Sequence, residues 1–522
     1  MGKDKDRAER ALVAFDVDRI QEFVFATHRP LDAMGASELV KDLTEEGRSS
    51  ILPDLLRELD CAARVIYAQG GSGLIEVEDP GQGEILAQRL EEAFRQHTLS
   101  GSCTAVSLQI DKADLQRRER FQQALRWLAL GLRRRKAERA AEECSEAWAM
   151  GYLPRCRACG IYPAMYESEI GGEKEWICEA CKRKRERGRE ARRQERMAES
   201  FEDIVSRPAE PNLDTSADLE QERRYLAVIY ADVNKAGDLL QRCSTLKEVR
   251  ALSRHLWDAL QEGVRFIRER FPERYQSPIV GGDDLLLFIP ATGCIESLRQ
   301  VWDKVESELQ TPPLALKGKE LEEELQRLTL SFGLLVAPHH LPAPFLFELV
   351  QLLVQGAKRF SYQEGRSALD FLLLKGGTPL SESLEELRET FLKHSYPLPK
   401  HFPGERGLES AVAFHLTGKP YTKDDFWQLS EGAQKLKAYQ GGLQHLGAII
   451  ESAKENPMEA WFNTAYQVAR HQELRRVLAT LPGGSPGDEA RFFFQIRTDE
   501  QGQEFVITQL LDLLELMEMD SL

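Results

Sequence analysis

Apolar positions along the chain come in short runs separated by amphipathic stretches. Ala11-Leu-Val-Ala-Phe15 predicts a buried strand leading into Asp16, and Ile20-Gln-Glu-Phe-Val-Phe25 opens a helix. Glu38 to Leu59 has apolar residues at three-to-four spacing and reads as helical. Arg64-Val-Ile-Tyr-Ala68, the turn Gly70-Gly-Ser-Gly73 and Leu74-Ile-Glu-Val77 read as a β-hairpin. Gly83 to His97 is a helix, and Thr104 to Ile110 is a strand of alternating pattern. Strand, helix, hairpin, helix, strand is the order of an α+β ferredoxin-like unit.

The same order returns further on. Tyr225-Leu-Ala-Val-Ile-Tyr230 predicts a buried strand ending at Ala231-Asp232, followed by a helix through Leu239 and another over Leu246 to Phe271. Ser277-Pro-Ile-Val280, the turn Gly281-Gly-Asp-Asp284 and Leu285-Leu-Leu-Phe-Ile289 form a second hairpin. Helices over Ile295 to Gln310 and Phe345 to Phe360 and strands over Leu328 to Ala337 and Ala368 to Leu374 complete the block. The chain therefore holds two copies of one supersecondary plan. Between them, basic-rich helices flank a cysteine array, and Ser206 to Ala217 reads as a linker. After them come helical stretches at Asp424 to Leu446, Glu459 to Leu478 and Gln503 to Met517, with no recognisable chemistry, read as a packing or docking domain. The expected domains are residues 1–132, 133–218, 219–378 and 379–522.

Composition narrows the class. A chain of 522 residues exceeds the roughly 250–300 at which single cores stop growing, so several units are expected. No apolar run is long enough to span a bilayer, and Met1 to Arg10 is charged rather than signal-like, so the expectation is a soluble, cytoplasmic protein. A net charge of −16 argues against a protein that coats nucleic acid non-specifically, leaving contact through a local basic stretch or partner subunits. Four of the nine cysteines form a metal-type array and five are scattered, which suits a reducing compartment better than a disulfide framework.

The strongest chemistry lies at Asp232 and Gly281-Gly282-Asp283-Asp284. Adjacent carboxylates repel unless solvated or bound to cations. The glycines let the backbone bend tightly and admit a phosphate. Asp232, at the end of the neighbouring strand, would complete a hard-oxygen site for Mg²⁺ or Mn²⁺. Two such ions would activate a 3′-hydroxyl and stabilise departing pyrophosphate. The plainer reading is a solvated Asp-rich turn, disfavoured by the apolar strands on both sides. Cys156-x-x-Cys159 and Cys178-x-x-Cys181 have zinc-ribbon spacing, and four thiolates without an open position make a structural Zn²⁺ site. Lys182 to Arg193 reads as an RNA-phosphate contact or, preferably, a solvated helix with i,i+4 pairs. Lys358 and Arg359 would hold a triphosphate, or cap a helix end. In the first copy Asp16 and Asp18 follow a strand, but Gly70-Gly71-Ser72-Gly73 has no carboxylate; it either binds a nucleotide through exposed amides or is a degenerate scaffold half. His339-His340, flanked by Pro338 and Pro342, marks a loop.

At these residues the sequence resembles the large subunit of type III CRISPR effector complexes, the palm-domain polymerase/cyclase called Cas-ten. Phe15-Asp-Val-Asp-Arg-Ile-Gln-Glu-Phe-Val-Phe25 and Gly35-Ala-Ser37 look like its first palm. Tyr230-Ala-Asp-Val-Asn-Lys-Ala-Gly237, Gly281-Gly-Asp-Asp284, Ser331-Phe-Gly333 and Ala357-Lys358 look like its second, with the cysteine array where the family has a zinc-binding insertion. The resemblance covers roughly residues 11 to 375. It implies two ferredoxin-like palms, a zinc-ribbon insertion between them and a C-terminal helical domain. It implies that Asp232, Asp283 and Asp284 bind the catalytic metals. It also implies that one nucleotide lies at the second palm, near Asn234, Gly237, Gly281, Gly282 and Lys358, and another against Asp16, Ser37, Gly70 and Gly71. The implied product is cyclic oligoadenylate made from ATP in a complex with guide RNA, target RNA and the backbone and small subunits.

Two departures follow. The chain enters its first palm almost at once and has no His-Asp dipeptide, so no DNase activity of the HD type is expected. Asn234 stands where related sequences often have a second acidic residue, which bears on nucleotide choice more than on catalysis. A non-catalytic scaffold that docks RNA and proteins, and a palm enzyme making another adenylated or cyclic nucleotide, are the competing readings.

Overall fold

A computed structural model describes residues 9–44, 50–143, 154–170, 173–206, 225–316, 320–375, 383–388, 395–397, 413–439, 442–455, 457–482, 495–498 and 504–522. The first palm begins with β1 (Glu9–Val17), then α1 (Ile20–Val24), α2 (Pro30–Thr44) and α3 (Ile51–Glu58). The hairpin β2 (Ala63–Gln69) and β3 (Ser72–Val77), α4 (Pro80–Thr98), β4 (Cys103–Asp111) and α5 (Arg118–Glu143) follow. Its antiparallel sheet has the order β2-β3-β1-β4, as the ferredoxin-like reading requires. The helix expected over Glu38 to Leu59 is instead two. The first starts earlier, at Pro30, and Ser50 is extended before the second; the polar residues 45–49 lie outside the described residues. The expected linker lies outside them too, apart from Ser206.

A small hairpin, β5 (Tyr166–Ile170) and β6 (Glu173–Ile177), precedes α6 (Glu179–Glu195) and the short α7 (Phe201–Val205). Helix α6 lies directly on α2 because both are glycine where they cross. A Cβ on Gly35 would stand 1.6 Å from the Lys184 carbonyl oxygen, and one on Gly188 2.3 Å from that of Leu31. The basic stretch therefore has a role that neither sequence reading gave it. Arg185, 1% exposed, donates twice to Asp32 at 2.9 Å, Lys184 donates to the Phe23 carbonyl at 2.6 Å, and Arg187 forks onto Asp42 at 2.7 and 3.0 Å. These cations clamp the insertion to the first palm.

The second palm runs through β7 (Tyr225–Val233), α8 (Ala236–Arg242), α9 (Leu246–Arg270), β8 (Gln276–Gly281), β9 (Asp284–Pro290) and α10 (Cys294–Leu309). It continues with α11 (Glu320–Gln326), β10 (Leu330–Pro338), α12 (Ala343–Glu364) and β11 (Ala368–Leu373). The order β10-β7-β9-β8 repeats the first palm, and β11 (parallel to β10) and then β12 (Tyr421–Thr422) extend it. Alternate residues of β7 enter two cores: Ala227, Ile229, Ala231 and Val233 one, Leu226, Val228 and Tyr230 the other. The second core also takes Ala11, Val13, Phe15 and Val17 of β1, so the two palms share it. Phe25 of the first palm stacks on Phe347 of the second with centroids 4.2 Å apart.

The C-terminal part is mainly helical: α13 (Lys423–Ala438), α14 (Gly442–Glu455), α15 (Pro457–Arg470), α16 (Gln472–Ala479) and α17 (Leu510–Met519). It also holds a short four-stranded sheet in which residues 504–507, expected to be helical, form a strand. Buried acids dock α17 on the second palm. Glu515 accepts from the Leu373 amide at 2.7 Å, and Asp512 from the Gly418 amide at 2.7 Å and the Tyr421 hydroxyl at 2.5 Å. Among the described residues no helix is long and apolar enough to cross a membrane.

Candidate active site

The pairing of β7 with β9 sets Asp232 opposite Asp284. Gly281 pairs with Asp284 across the hairpin, so Gly282-Asp283 is the two-residue turn, and Gly282 has φ +63°, a conformation glycine adopts without steric cost. The Val233 amide donates to the Asp283 carbonyl at 2.8 Å and ties the turn to the end of β7. Two further groups reach these carboxylates. Lys358 Nζ donates to Asp232 Oδ1 at 2.8 Å, and the Tyr230 hydroxyl donates to Asp284 Oδ1 at 2.9 Å. Asp232 Oδ2 is buried and has no hydrogen-bond partner.

Like charges in a partly dry site resist ionisation. Burial, then Asp283 and Asp232, push the Asp284 carboxyl up to about 7, and burial followed by Asp232 raises Asp283. Among the described residues only the four cysteines bring three or more candidate ligand atoms within 4.8 Å of one another. The carboxylates are thus near neighbours drawn to Lys358 and Tyr230, not a closed cage. The orphan Asp232 oxygen and the mutual repulsion are what a hard cation would relieve, so these residues fit one.

The first palm repeats this geometry with different residues. Asp16 stands opposite Ser72 and Thr104, as Asp232 stands opposite Asp284 and Ser331. Helix α5 delivers Lys136 Nζ to Asp16 Oδ2 at 2.6 Å, as α12 delivers Lys358 to Asp232. Asp18 accepts from the Thr104 hydroxyl at 2.9 Å, as Asn234 donates to the Ser331 hydroxyl at 2.9 Å. By register Gly71 and Ser72 take the places of Asp283 and Asp284, one position off the turn-to-turn match that the glycines suggest. Lys136 was not visible as a site residue in the sequence, where it is one cation among many. Lys358 sits well inside α12, which runs to Glu364, so it is not a helix cap.

The expected nucleotide-binding residues divide. Gly70 meets Gly281 and Gly282 directly, so the two turns lie tip to tip. Gly237 in the first turn of α8 opens onto free space. Ser37 lies in α2 and is mostly buried. Asn234 is 1% exposed, and its amide reaches Thr329, Ser331 and Ser361 at 2.9, 2.9 and 3.0 Å. It knits the end of β7 to β10 and α12 through the hydroxyls of Thr329, Ser331 and Ser361. Tyr230, which the sequence reading did not single out, lies on the same strand face as Asp232, two residues away.

Cys156, Cys159, Cys178 and Cys181 gather as their spacing predicted, with Cys159 and Cys178 sulfurs 3.9 Å apart. Tetrahedral Zn–S bonds of about 2.3 Å put sulfurs about 3.8 Å apart, so the set fits zinc.

Residues 225–369 match the family model described as Cas10/Cmr2, second palm domain. No curated protein matches the sequence. The fold is similar to a Csm1-Csm4 cassette in complex with cA4, with TM-score 0.55 and 14% identity over 100% of this chain and 71% of that one. It is also similar to such a cassette in complex with pppApA (TM-score 0.53, 13% identity, 98% of this chain, 70% of that). Csm1 in T. onnurineus gives TM-score 0.51 and 15% identity over 98% of this chain and 70% of that one. The chain spans about two thirds of the length of the apo cassette chain it matches, at 66%. Residues 225–369 thus carry a second palm domain of the Cas10/Cmr2 kind, set in a paired-palm fold similar to that of Csm1.

Proposed function

We propose that the chain is a metal-dependent nucleotidyltransferase that links ATP into cyclic oligoadenylate within a type III effector complex when target RNA is bound. The observation that carries this reading is the cross-strand pair Asp232 and Asp284, with Asp283 on the glycine turn beside them and one buried carboxylate oxygen unpartnered. The similar folds solved with cA4 and with pppApA support it.

Asp232, Asp283 and Asp284 would hold Mg²⁺ or Mn²⁺, which as a Lewis acid polarises a phosphoryl oxygen and lowers the pKa of an attacking hydroxyl. Lys358 balances the Asp232 charge and would meet the added charge of a triphosphate. Gly282, with open space where a side chain would stand, leaves room for phosphate beside the carboxylates. In the first palm Asp16 is neutralised by Lys136 and the turn carries no acid, which suits a nucleotide-binding half with no metal chemistry of its own. The cysteine set holds zinc in a structural role, and the divisions at residues 132, 218 and 378 separate palm, insertion, palm and C-terminal domain. Guide RNA, target RNA and the backbone and small subunits are the partners this reading requires.

Incubation of the chain with labelled ATP and Mg²⁺ or Mn²⁺, alone and within its RNA-bound complex, tests the reading when products are analysed by mass spectrometry. Cyclic 3′–5′ adenylates support it. A transfer product on another acceptor redirects the same chemistry, and absence of both product and nucleotide binding leaves a scaffold.

A further inference from the structure

One hydrogen-bonded chain enters the carboxylate site from the opposite palm. A tyrosine hydroxyl has a single proton to donate. The Tyr230 hydroxyl gives it to Asp284 Oδ1 at 2.9 Å, while its oxygen faces the Gln21 side-chain amide, Nε2, at 3.4 Å. Gln21 in turn has its orientation fixed, because its Oε1 accepts from Gln351 Nε2 at 2.7 Å. Gln351 lies on α12 of the second palm and Gln21 on α1 of the first. Every donor therefore points the same way, from α12 through the first palm to the acid on β9. Tyr230 is only 3% exposed and its ring leans on Phe347, which stacks on Phe25 of the first palm. Tyr230 is thus the shielded link of the chain, whereas Gln21, Gln351 and Asp284 are half-buried.

We propose that Gln21 is a positioning residue contributed by the first palm, which fixes the Tyr230 hydroxyl as a donor to Asp284 and so sets the orientation of that carboxylate for the cation. The inference rests on the reading of Asp232, Asp283 and Asp284 as metal ligands. It gives the palm whose turn lacks carboxylates a part in the other palm's chemistry. With Oδ1 of Asp284 committed to Tyr230, its second oxygen is the one left for a cation alongside Asp283 and the orphan oxygen of Asp232. Without the Gln21 amide, the phenol oxygen loses the donor that keeps its O–H aimed at Asp284, and the carboxylate is free to rotate. A partner of a ligating group characteristically changes metal affinity by about 10–100-fold when removed.

The test is Mn²⁺ binding to the full chain, followed by electron paramagnetic resonance at one pH in the presence of a non-hydrolysable ATP analogue. Q21L and the isosteric Q21E, which accepts where glutamine donates, should each weaken Mn²⁺ binding about tenfold. Y230F should weaken it at least as much, and Q21L added to Y230F should cost nothing more, since the two act through one link. Wild-type Mn²⁺ affinity in both Gln21 variants would overturn the proposal. So would a Q21L effect equally large with and without the Tyr230 hydroxyl, which would mark Gln21 as interface packing. If D283A/D284A binds Mn²⁺ as the wild type does, the metal-site reading falls and this inference with it. If that variant loses Mn²⁺ while the Gln21 variants keep it, only this inference falls.

Discussion

Gly70 and Gly281 meet across the two palms with no space between them for a side chain. A Cβ built on Gly281 would stand 2.5 Å from the Gly70 Cα, and one built on Gly70 would stand 2.5 Å from the Gly282 nitrogen. The two turns that the sequence marks as alike are thus each other's packing surface. Glycine at these positions serves close approach of one backbone to another. The carboxylate site lies beside this contact, so the spacing of the palms sets its shape.

G281A should therefore destabilise the chain by about 1–3 kcal/mol, as overpacking commonly does, and should depress turnover beyond what the lost stability explains. Thermal unfolding and product formation measured on the same preparation check both parts. A variant with wild-type melting and turnover would show that the palms separate at no cost.

The raised carboxyls give a pH dependence with a defined sign. Asp284 is pushed up to about 7 by burial first and then by Asp283 and Asp232, whereas an unfolded chain has it near 3.9. Between about pH 4 and 7 the folded state holds the extra proton, so the stability it adds is present below that window and is lost as pH rises through about 7. Metal-free protein should melt at a lower temperature at pH 8 than at pH 5.5, and D284N should remove part of that difference. Mg²⁺ should restore stability at pH 8 in the wild type and not in D284N. Parallel melting curves for the two proteins across this range would contradict the electrostatic account of the site.

Zinc removal should act at a distance from the carboxylates. Cys178 is both a member of the sulfur cluster and the N-cap of α6, where its sulfur accepts from the Cys181 amide at 3.5 Å. C178S should lower zinc content and melting temperature together, because a ribbon has little core without its metal. Unchanged melting in a zinc-free variant would separate the metal from the fold.

The clamp between insertion and first palm predicts a larger loss. Arg185 is buried against Asp32 and Glu175, with Glu175 Oε1 at 2.6 Å. R185M leaves buried Asp32 without its paired guanidinium and Glu175 with only the longer Arg29 contact at 3.4 Å, and should cost about 3–5 kcal/mol, read as a fall in the denaturation midpoint. A loss below about 1 kcal/mol, the range of an exposed pair, would show that water reaches the pair.

Much of this was legible in the sequence because each signal was local. The runs around Asp232 and Gly281-Gly282-Asp283-Asp284 are continuous apolar strands closed by glycines, and the strand order of both palms follows from them. The cysteine array is a spacing rule, and it gathered as spacing predicts. Signals that depend on tertiary contact were not legible. Nothing near Lys136 or Gln21 separates them from neighbouring polar residues until α5 and α1 are placed against the carboxylates. The sequence gives no sign that Asn234 also bonds to Thr329, Ser331 and Ser361, since those contacts are made across elements far apart in the chain. The basic run after Cys181 could not announce that Lys184 and Arg185 are buried, since charge alone reads as solvated. The strand at residues 504–507 is too short for a period-2 pattern to outweigh the helical stretch that follows it.

The central claim is tested most directly by conversion of labelled ATP by the RNA-activated complex containing either the wild-type chain or D283A/D284A, with zinc content measured on both. The account predicts 3′–5′ linked adenylate from the wild type, none from the variant, and equal zinc in the two. Wild-type turnover in the variant would contradict the assignment of the reaction to the carboxylates of the second palm.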